Sequence, residues 1–299
     1  MGKVKRRIID ELPLSAAGKL AKFRGEDYNG HPNNKFDLWM AESQPCAPLV
    51  IFYHGGGFRG GERDDIYKNP VIDQFLDAGV SFATVDYRYY NQTNWGVRGS
   101  LADCVRAIQF IRYHADKYQI DKTRIGAFGI SGGAGTALWI AFQPNMALPL
   151  GYTDPVLCES TRLSVVGARA TQSTYDILKW LDVVKTDDGA VQIDPTSHEW
   201  QAILAYAVEL YGFDSHDDLY TPDGMRLRRA LDMLGLMSRD DPPMWVFNGM
   251  DALPLSENHI KHHPCHAIAL WERAREVGLE ARVALQALDL DELRRLDIE

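Results

Sequence analysis

The sequence lacks two features: an apolar run long enough to cross a bilayer, and an excess of basic charge. Its first residues, MGKVKRR, are basic, but the next apolar pair, Ile8 and Ile9, is followed at once by Asp10 and Glu11. We therefore expect neither a signal peptide nor a membrane-spanning segment. The 32 Lys and Arg residues against 41 Asp and Glu residues leave a net charge of -9. This acidic balance argues against nucleic acid or an anionic membrane as a partner.

Cysteine is also scarce. The chain has 4 cysteines, which are far apart in the sequence and form no C-x-x-C pair: Cys46, Cys104, Cys158 and Cys265. A secreted disulfide framework would need a short chain with closely spaced cysteines. We expect reduced thiols that pack within a cytoplasmic protein.

Short apolar runs alternate with longer segments of helical spacing along the 299 residues. The runs predict strands at 35–40, 49–53, 80–85, 125–130, 163–166, 244–247 and 281–285. Helices are predicted at 70–78, 100–118, 133–142 and 264–276, a turn at 121–124, and a charged helix at the end of the chain. Buried strands that alternate with helices are typical of an α/β fold with a mostly parallel central sheet covered by helices. We predict a single domain over residues 1–299, with 174–238 as an inserted helical cap.

The strand predicted at 125–130 runs directly into GISGG at 129–133, which has the pattern G-x-S-x-G. A nucleophilic serine on a sharp strand-to-helix turn needs small neighbours, because a side chain beside it would block the turn. The following helix also directs unpaired backbone N–H groups and the positive end of its dipole toward the serine. The pattern alone is weakly specific, but its position between a strand and a helix makes Ser131 the predicted nucleophile.

A second glycine-rich stretch, HGGG at 54–57, follows the strand predicted at 49–53. Acyl transfer develops negative charge on a carbonyl oxygen, and preorganised N–H donors must stabilise it. Backbone amides of Gly56 and Gly57, with that of Gly132 after the serine, are the predicted donors, because glycine lets the main chain approach a substrate closely.

These motifs resemble those of the α/β-hydrolase fold and, within it, the hormone-sensitive-lipase-like carboxylesterases. The resemblance rests on HGGGF at 54–58, VDYR at 85–88, IDKTRIGAFGISGGAG at 120–135 and DDPPMWVFNGMD at 240–251, and it covers about residues 35 to 285. The relatives usually carry an acidic residue before the serine and alanine after it, whereas this chain has Ile130 and Gly132.

The resemblance implies a catalytic triad in the order serine, acid, histidine. Asp251 stands just after the strand predicted at 244–247, where the family's acid lies. The family's histidine normally follows the last strand, but the tail QALDLDELRRLDIE contains none. The histidines after Asp251 all lie in the run NHIKHHPCH.

A serine hydroxyl needs a base to remove its proton, and three interpretations of this run remain open. The base is supplied by His262 or His263, which precede Pro264 at the start of a predicted helix; relatives of this type share an HHP sequence here. Alternatively, the fold has lost its histidine and binds a small molecule without catalysis. The third is a zinc site built from H-x-x-H-H-x-x-H with Cys265, although this spacing matches no standard motif.

The sequence thus predicts a serine carboxylesterase acting on small soluble esters. Ser131 is the nucleophile, Asp251 the acid and His262 or His263 the base, and the Gly56, Gly57 and Gly132 amides hold the oxyanion. This chemistry requires no metal or organic cofactor. The alternative function is a catalytically inactive small-molecule binding protein of the same fold.

Overall fold

The computed structural model describes residues 12–42, 46–185, 191–251 and 253–286. Within these residues eight strands form one sheet in the order β1-β2-β4-β3-β5-β6-β7-β8. The strands are β1 Phe23–Asp27, β2 Lys35–Trp39, β3 Ala47–Tyr53, β4 Ser81–Val85, β5 Ile120–Ile130, β6 Val166–Arg169, β7 Met244–Asn248 and β8 Ala281–Leu285. β2 pairs antiparallel with both β1 and β4, and the remaining pairs are parallel. The predicted α/β architecture with a mostly parallel sheet is confirmed.

Helices follow the strands and cover the sheet. Their bounds are α1 Pro70–Asp77, α2 Val97–Tyr113, α3 Ala115–Tyr118, α4 Gly132–Phe142, α5 Trp180–Val183, α6 His198–Tyr211, α7 Pro222–Ala230, α8 Met233–Leu236, α9 Glu257–Lys261 and α10 Pro264–Val277. α4 is almost entirely buried, and it packs against β3, β5 and β6. In the described ranges no helix is both long and apolar enough to span a bilayer.

The structure differs from the predicted elements in three places. β6 begins at Val166 and ends at Arg169, whereas the apolar pattern placed a strand at 163–166. The apolar pattern misplaced β6 because the strand contains small residues. Gly167 leaves room for the ring of Phe128, and a Cβ at that position would approach the ring within 3.1 Å. Residues 121–124, predicted as a turn, belong to β5, and the pattern missed β1 altogether. The charged helix predicted at the end of the chain lies outside the described residues.

The segment predicted as a cap, 174–238, lies between β6 and β7. Its described part contains α5 to α8 and no strand of the sheet. α6 is capped at its start by Ser197, whose hydroxyl accepts the N–H of Trp200, and after its end by Gly212 in the left-handed conformation. The division of the chain into one domain with this cap stays a prediction.

Candidate active site

Ser131 lies at the sharp turn between β5 and α4. Its φ is 53°, in the left-handed region that non-glycine residues rarely adopt. A larger residue does not fit at either of the flanking glycines. A Cβ at Gly133 would lie 2.1 Å from the carbonyl oxygen of Tyr53, and a Cβ at Gly129 would lie 2.2 Å from the carbonyl oxygen of Gly133. The turn therefore packs directly against the end of β3, and a strained serine is held there by the surrounding backbone.

His262 is the histidine that reaches Ser131. The Nε2 of His262 lies 2.7 Å from the Oγ of Ser131. The other ring nitrogen, Nδ1, lies 2.9 Å from the carbonyl oxygen of Asn258, one turn back in α9. A carbonyl only accepts, so Nδ1 carries the proton and Nε2 is left to accept the serine hydroxyl. This tautomer is the one that a general base needs.

The electrostatic surroundings keep His262 neutral. Burial lowers the pKa of its imidazole below the ordinary 6.5, and the nearby Lys261 and His259 act in the same direction. The hydrogen bond to the Asn258 carbonyl acts the opposite way but does not reverse the shift. Because an unprotonated imidazole is the base form, His262 is ready to accept a proton at neutral pH.

His263 occupies a different place. It is the N-cap of α10, where its buried side chain accepts the N–H of Cys265 through Nδ1 at 3.2 Å. An imidazole that accepts from the first turn of a helix satisfies a donor that the helix leaves unpaired. Of the two candidate bases, the structure therefore brings His262 to the serine and leaves His263 as a helix cap.

The other histidines of this run also have separate partners. His266 is fully buried, donates from Nε2 to the carbonyl of Ile260 at 3.0 Å and accepts at Nδ1 from Ser173. His259 pairs with the hydroxyl of Ser256 at 2.6 Å. Among the residues that the structure describes, no three His, Cys, Asp or Glu side chains are grouped to hold a metal ion. The four histidines of this run therefore have different local partners and do not come together as a zinc site.

The structure does not bring Asp251, the predicted acid, to the imidazole. Asp251 is exposed in the loop after β7, and within the described ranges it makes no hydrogen bond to His262 or His263. The physical reason is that Nδ1 of His262 is already paired with the Asn258 carbonyl. The Asn258 carbonyl therefore occupies the position beside Nδ1 of His262 that a triad carboxylate would occupy.

Two side-chain amides that the sequence motifs did not indicate hold the histidine segment in place. Asn248, the buried last residue of β7, donates to the carbonyl of His262 at 2.9 Å, and Gln172 donates to the carbonyl of Lys261 at 2.7 Å. Asn248 ends β7 and Gln172 follows β6, so both lie at the carboxyl edge of the sheet, where Ser131 also lies. The strand that precedes the predicted acid therefore holds the histidine segment through Asn248.

The glycine loop after β3 faces the new helix across the cavity. Gly56 and Gly57 have φ of 97° and 58°, and a Cβ at Gly132 would lie 3.4 Å from the nitrogen of Gly57. The N–H groups of Gly56 and Gly57 have no acceptor among the described residues. The first-turn N–H of Gly132 has no partner within its own helix. The three glycines thus lie beside Ser131 in the wall of one cavity.

Helix α6 and residues near the sheet both hold the glycine loop in place. From α6, the hydroxyl of Tyr206 donates to the carbonyl of Gly57 at 2.6 Å. His54 is fully buried, stacks on Tyr87 with ring centroids 4.2 Å apart, and bonds through Nδ1 to the carbonyl of Gly55. Burial lowers the pKa of His54, so it is a neutral support for the loop.

Two ion-pair systems involve the VDYR motif; one is buried, and in the other the arginine is partly exposed. Asp86 accepts from the guanidinium of Arg63, which also donates to Asp37 at 2.6 Å. Arg88 makes a bidentate pair with Asp103 at 2.7 and 2.8 Å. Asp86 and Arg88 of the VDYR motif are therefore in two separate structural pairs.

A cavity of about 350 Å³ lies over Ser131. Its walls come from the glycine loop, the serine turn, the predicted cap and the histidine segment: Gly56, Gly57, Phe58, Arg59, Ser131, Gly132, Gln172, Tyr175, Ile177, Trp180, Tyr206, Leu210, Lys261 and His262. Ser131, His262 and the three glycines predicted to bind an oxyanion all line this one space. It is large enough for a small organic substrate.

The chain is similar in sequence to known esterases and matches one family model. The family model described as BD-FAE matches residues 36–187, just over half of the chain. A probable isoprenylcysteine alpha-carbonyl methylesterase of Arabidopsis thaliana is 28% identical over 108 residues, and a juvenile hormone esterase of Tribolium castaneum is 28% identical over 102 residues. These alignments cover 36% and 32% of this chain but only 25% and 17% of the relatives, so the chain matches a minor part of each.

Solved structures show the same fold at low identity. A truncated carbohydrate esterase from gut microbiota has a TM-score of 0.63 at 17% identity, covering 88% of this chain and 86% of that one. An acetyl ester-xyloside bifunctional hydrolase from Caldicellulosiruptor lactoaceticus has a TM-score of 0.62 at 18% identity, covering 85% and 78%. The sheet and its helices are those of the α/β-hydrolase esterases.

Proposed function

Because the chain belongs to the BD-FAE family, an esterase-type family of α/β-hydrolases, we propose that it is a serine carboxylesterase acting on small esters. The observation that carries the proposal is the 2.7 Å contact between the Oγ of Ser131 and the Nε2 of His262. A nucleophile and a base within hydrogen-bond reach, with the base oriented by a third group, are what nucleophilic catalysis needs.

In the proposed first step the Oγ of Ser131 attacks the ester carbonyl while His262 takes the hydroxyl proton on Nε2. The carbonyl oxygen becomes an oxyanion, which the amides of Gly56, Gly57 and Gly132 stabilise. The intermediate collapses to an acyl-serine, and the proton on Nε2 passes to the departing alcohol. Water then attacks the acyl-serine by the same route in reverse and releases the acid.

The proposed base differs from a triad histidine in what orients it. The Asn258 carbonyl holds Nδ1 protonated as a triad carboxylate does, and because it cannot donate a proton it excludes the wrong tautomer. It is uncharged, however, so it stabilises the imidazolium less than a carboxylate would. We propose a Ser131–His262 dyad oriented by a backbone carbonyl.

The comparisons support ester hydrolysis as the reaction. The names of the relatives and the solved structures refer to esterases, among them a methylesterase, a juvenile hormone esterase and a carbohydrate esterase. The cavity of about 350 Å³ favours a substrate of modest size. The alternative of an inactive binding protein rested on a missing histidine, and His262 supplies one within reach of the serine.

The test is turnover of 4-nitrophenyl acetate together with covalent trapping of the nucleophile. We expect hydrolysis, and we expect an organophosphorus inhibitor such as paraoxon to stop it while adding one phosphoryl group to the peptide that contains Ser131. Mass spectrometry of the digested protein locates the group, and protein unfolded in urea before treatment is the control. Absence of turnover, or labelling of another serine in the inhibited protein, would contradict the proposal.

The role of Asp251 is tested separately by Asp251→Asn. Because the Asp251 carboxylate is exposed and the Asn258 carbonyl already orients the imidazole, we expect kcat/KM to change by less than about threefold. In a triad the same substitution lowers kcat by about 10⁴-fold through the wrong tautomer. Steady-state kinetics at neutral pH distinguish the two results, and a loss of about a hundredfold or more would restore Asp251 as the catalytic acid.

A further inference from the structure

We propose that the active-site cavity selects esters that carry a carboxylate group, which Arg59 binds with the support of Lys261. This inference rests on the proposed esterase function and specifies the substrate class of the same site. Arg59 directly follows HGGGF at 54–58, and Lys261 lies within the histidine run NHIKHHPCH.

The charge of the cavity wall is the first observation. Among the described residues, the titratable side chains that line it, apart from His262, are the cations Arg59 and Lys261 and the tyrosines Tyr175 and Tyr206, and none of its described lining residues is a carboxylate. The whole chain carries a net charge of -9, so a positive wall is opposite to its average charge. A cleft lined by one sign of charge raises the local concentration of the opposite sign.

Tyr206 holds the two cations close to the reacting groups. The Cζ of Arg59 lies 5.1 Å, and the Nζ of Lys261 5.0 Å, from the centroid of its ring. The hydroxyl of the same tyrosine is bonded to the carbonyl of Gly57, in the proposed oxyanion loop. Arg59 follows that loop directly, and Lys261 precedes His262. Both charges are therefore fixed at the rim of the cavity that contains Ser131.

Arg59 is the cation that is available to a ligand. Lys261 is ion-paired with Glu257, four residues earlier in α9. Within the described ranges Arg59 has no carboxylate partner, and its side chain is exposed at the cavity. A guanidinium presents several N–H donors in a planar fork that matches a carboxylate bidentately.

The acidic residues near this cluster have other hydrogen-bond and ion-pair partners, although the charge of Glu257 also acts on Arg59. Glu257 is engaged by Lys261, and Glu209 accepts the hydroxyl of Tyr90 at 2.7 Å. Neither carboxylate lines the cavity. Ile177, Trp180 and Leu210 also line the cavity and form an apolar part of its wall, which fits an uncharged part of the substrate. A ligand with one carboxylate end and one apolar end matches this division.

The experiment compares two esters that differ in charge alone: 4-acetoxybenzoate and its neutral analogue 4-acetoxybenzamide. We expect kcat/KM to favour the anionic ester by about tenfold, mainly through KM, and the preference to fall severalfold as salt is raised from about 0.05 to about 0.5 M. Arg59→Gln is expected to remove most of the preference, and Lys261→Gln a smaller part. Arg124→Gln is the matched control, because Arg124 is exposed in the early part of β5 and pairs with Asp121.

A binding measurement separates this inference from the proposed function. Titration calorimetry of the wild-type protein with 4-hydroxybenzoate and 4-hydroxybenzamide needs no turnover, and we expect tighter binding of the anion and loss of that difference in Arg59→Gln. Hydrolysis of both esters with equal kcat/KM, or a preference that survives Arg59→Gln, would overturn the inference and leave the esterase proposal standing. Preferential binding of 4-hydroxybenzoate without hydrolysis of either ester would overturn the esterase proposal and leave the anion subsite standing.

Discussion

His262→Asn is expected to lower kcat/KM for 4-nitrophenyl acetate by about 10⁴-fold or more, whereas His263→Asn lowers it by less than about tenfold. The two substitutions are the same change at adjacent positions. Asparagine cannot act as a base beside Ser131, so the first variant loses proton transfer. Asparagine is a good N-cap, so the second keeps an acceptor for the N–H of Cys265 at the start of α10.

The same measurement is made on Ser131→Ala and on the double variant that combines Ser131→Ala with His262→Asn. If Ser131 and His262 act as one unit, the double variant loses about as much activity as either single variant, because the second substitution removes nothing further. Thermal unfolding of each variant checks that the fold is retained. Full activity in His262→Asn, with loss in His263→Asn, would reverse the assignment of the base and show that the 2.7 Å contact is not the catalytic one.

The serine and the glycine loop could be predicted from the sequence because their requirements are local. A strand, a tight turn and a helix leave a pattern of residue types within a few positions, and Gly129, Ser131 and Gly133 carry it. Most strands were predicted for the same reason, since their buried residues are contiguous. The prediction misplaced β6 because Gly167 and Ala168 are small. Their size is set by packing inside the sheet against residues that are distant in the sequence, such as Phe128.

The orientation of the base could not be predicted, because the group that orients it has no side-chain signature. Any residue at position 258 supplies a carbonyl, and only the helical turn of α9 directs that carbonyl at Nδ1 of His262. Adjacent histidines point to different places when a helix ends and another begins between them. His262 closes α9 and His263 opens α10, and that boundary decides which ring faces the serine.

The substrate preference proposed for Arg59 could not be predicted from the sequence either. A charged residue after a glycine loop is typical of a solvated surface, and its neighbours in sequence say nothing about its partners. Its placement depends on Tyr206, which is 147 residues later in the chain and comes from the helical segment between β6 and β7. The chemistry of the serine is therefore local in sequence, while the selection of substrate depends on contacts between distant segments.

Gly133→Ala is expected to destabilise the protein by about 3 kcal/mol and to lower the kcat/KM of the remaining folded protein by about a hundredfold or more. The added Cβ would lie 2.1 Å from the carbonyl oxygen of Tyr53 and 2.5 Å from that of His54. Both atoms are backbone at the end of β3, so relief requires β3 and α4 to separate. That movement displaces Ser131 from the glycine loop, which follows β3 directly.

Gly60→Ala is the matched control for this substitution. Gly60 lies just after the glycine loop that follows β3. It has no positive φ, and a Cβ there would meet no atom nearer than 4.0 Å. We expect its urea midpoint and kcat/KM to stay close to those of the wild type. Urea unfolding followed by circular dichroism gives the stability, and titration with paraoxon gives the fraction of competent serine. An unchanged midpoint and unchanged kcat/KM in Gly133→Ala would contradict the close packing of the serine turn against β3, and with it the alignment of nucleophile and oxyanion donors that the proposed mechanism requires.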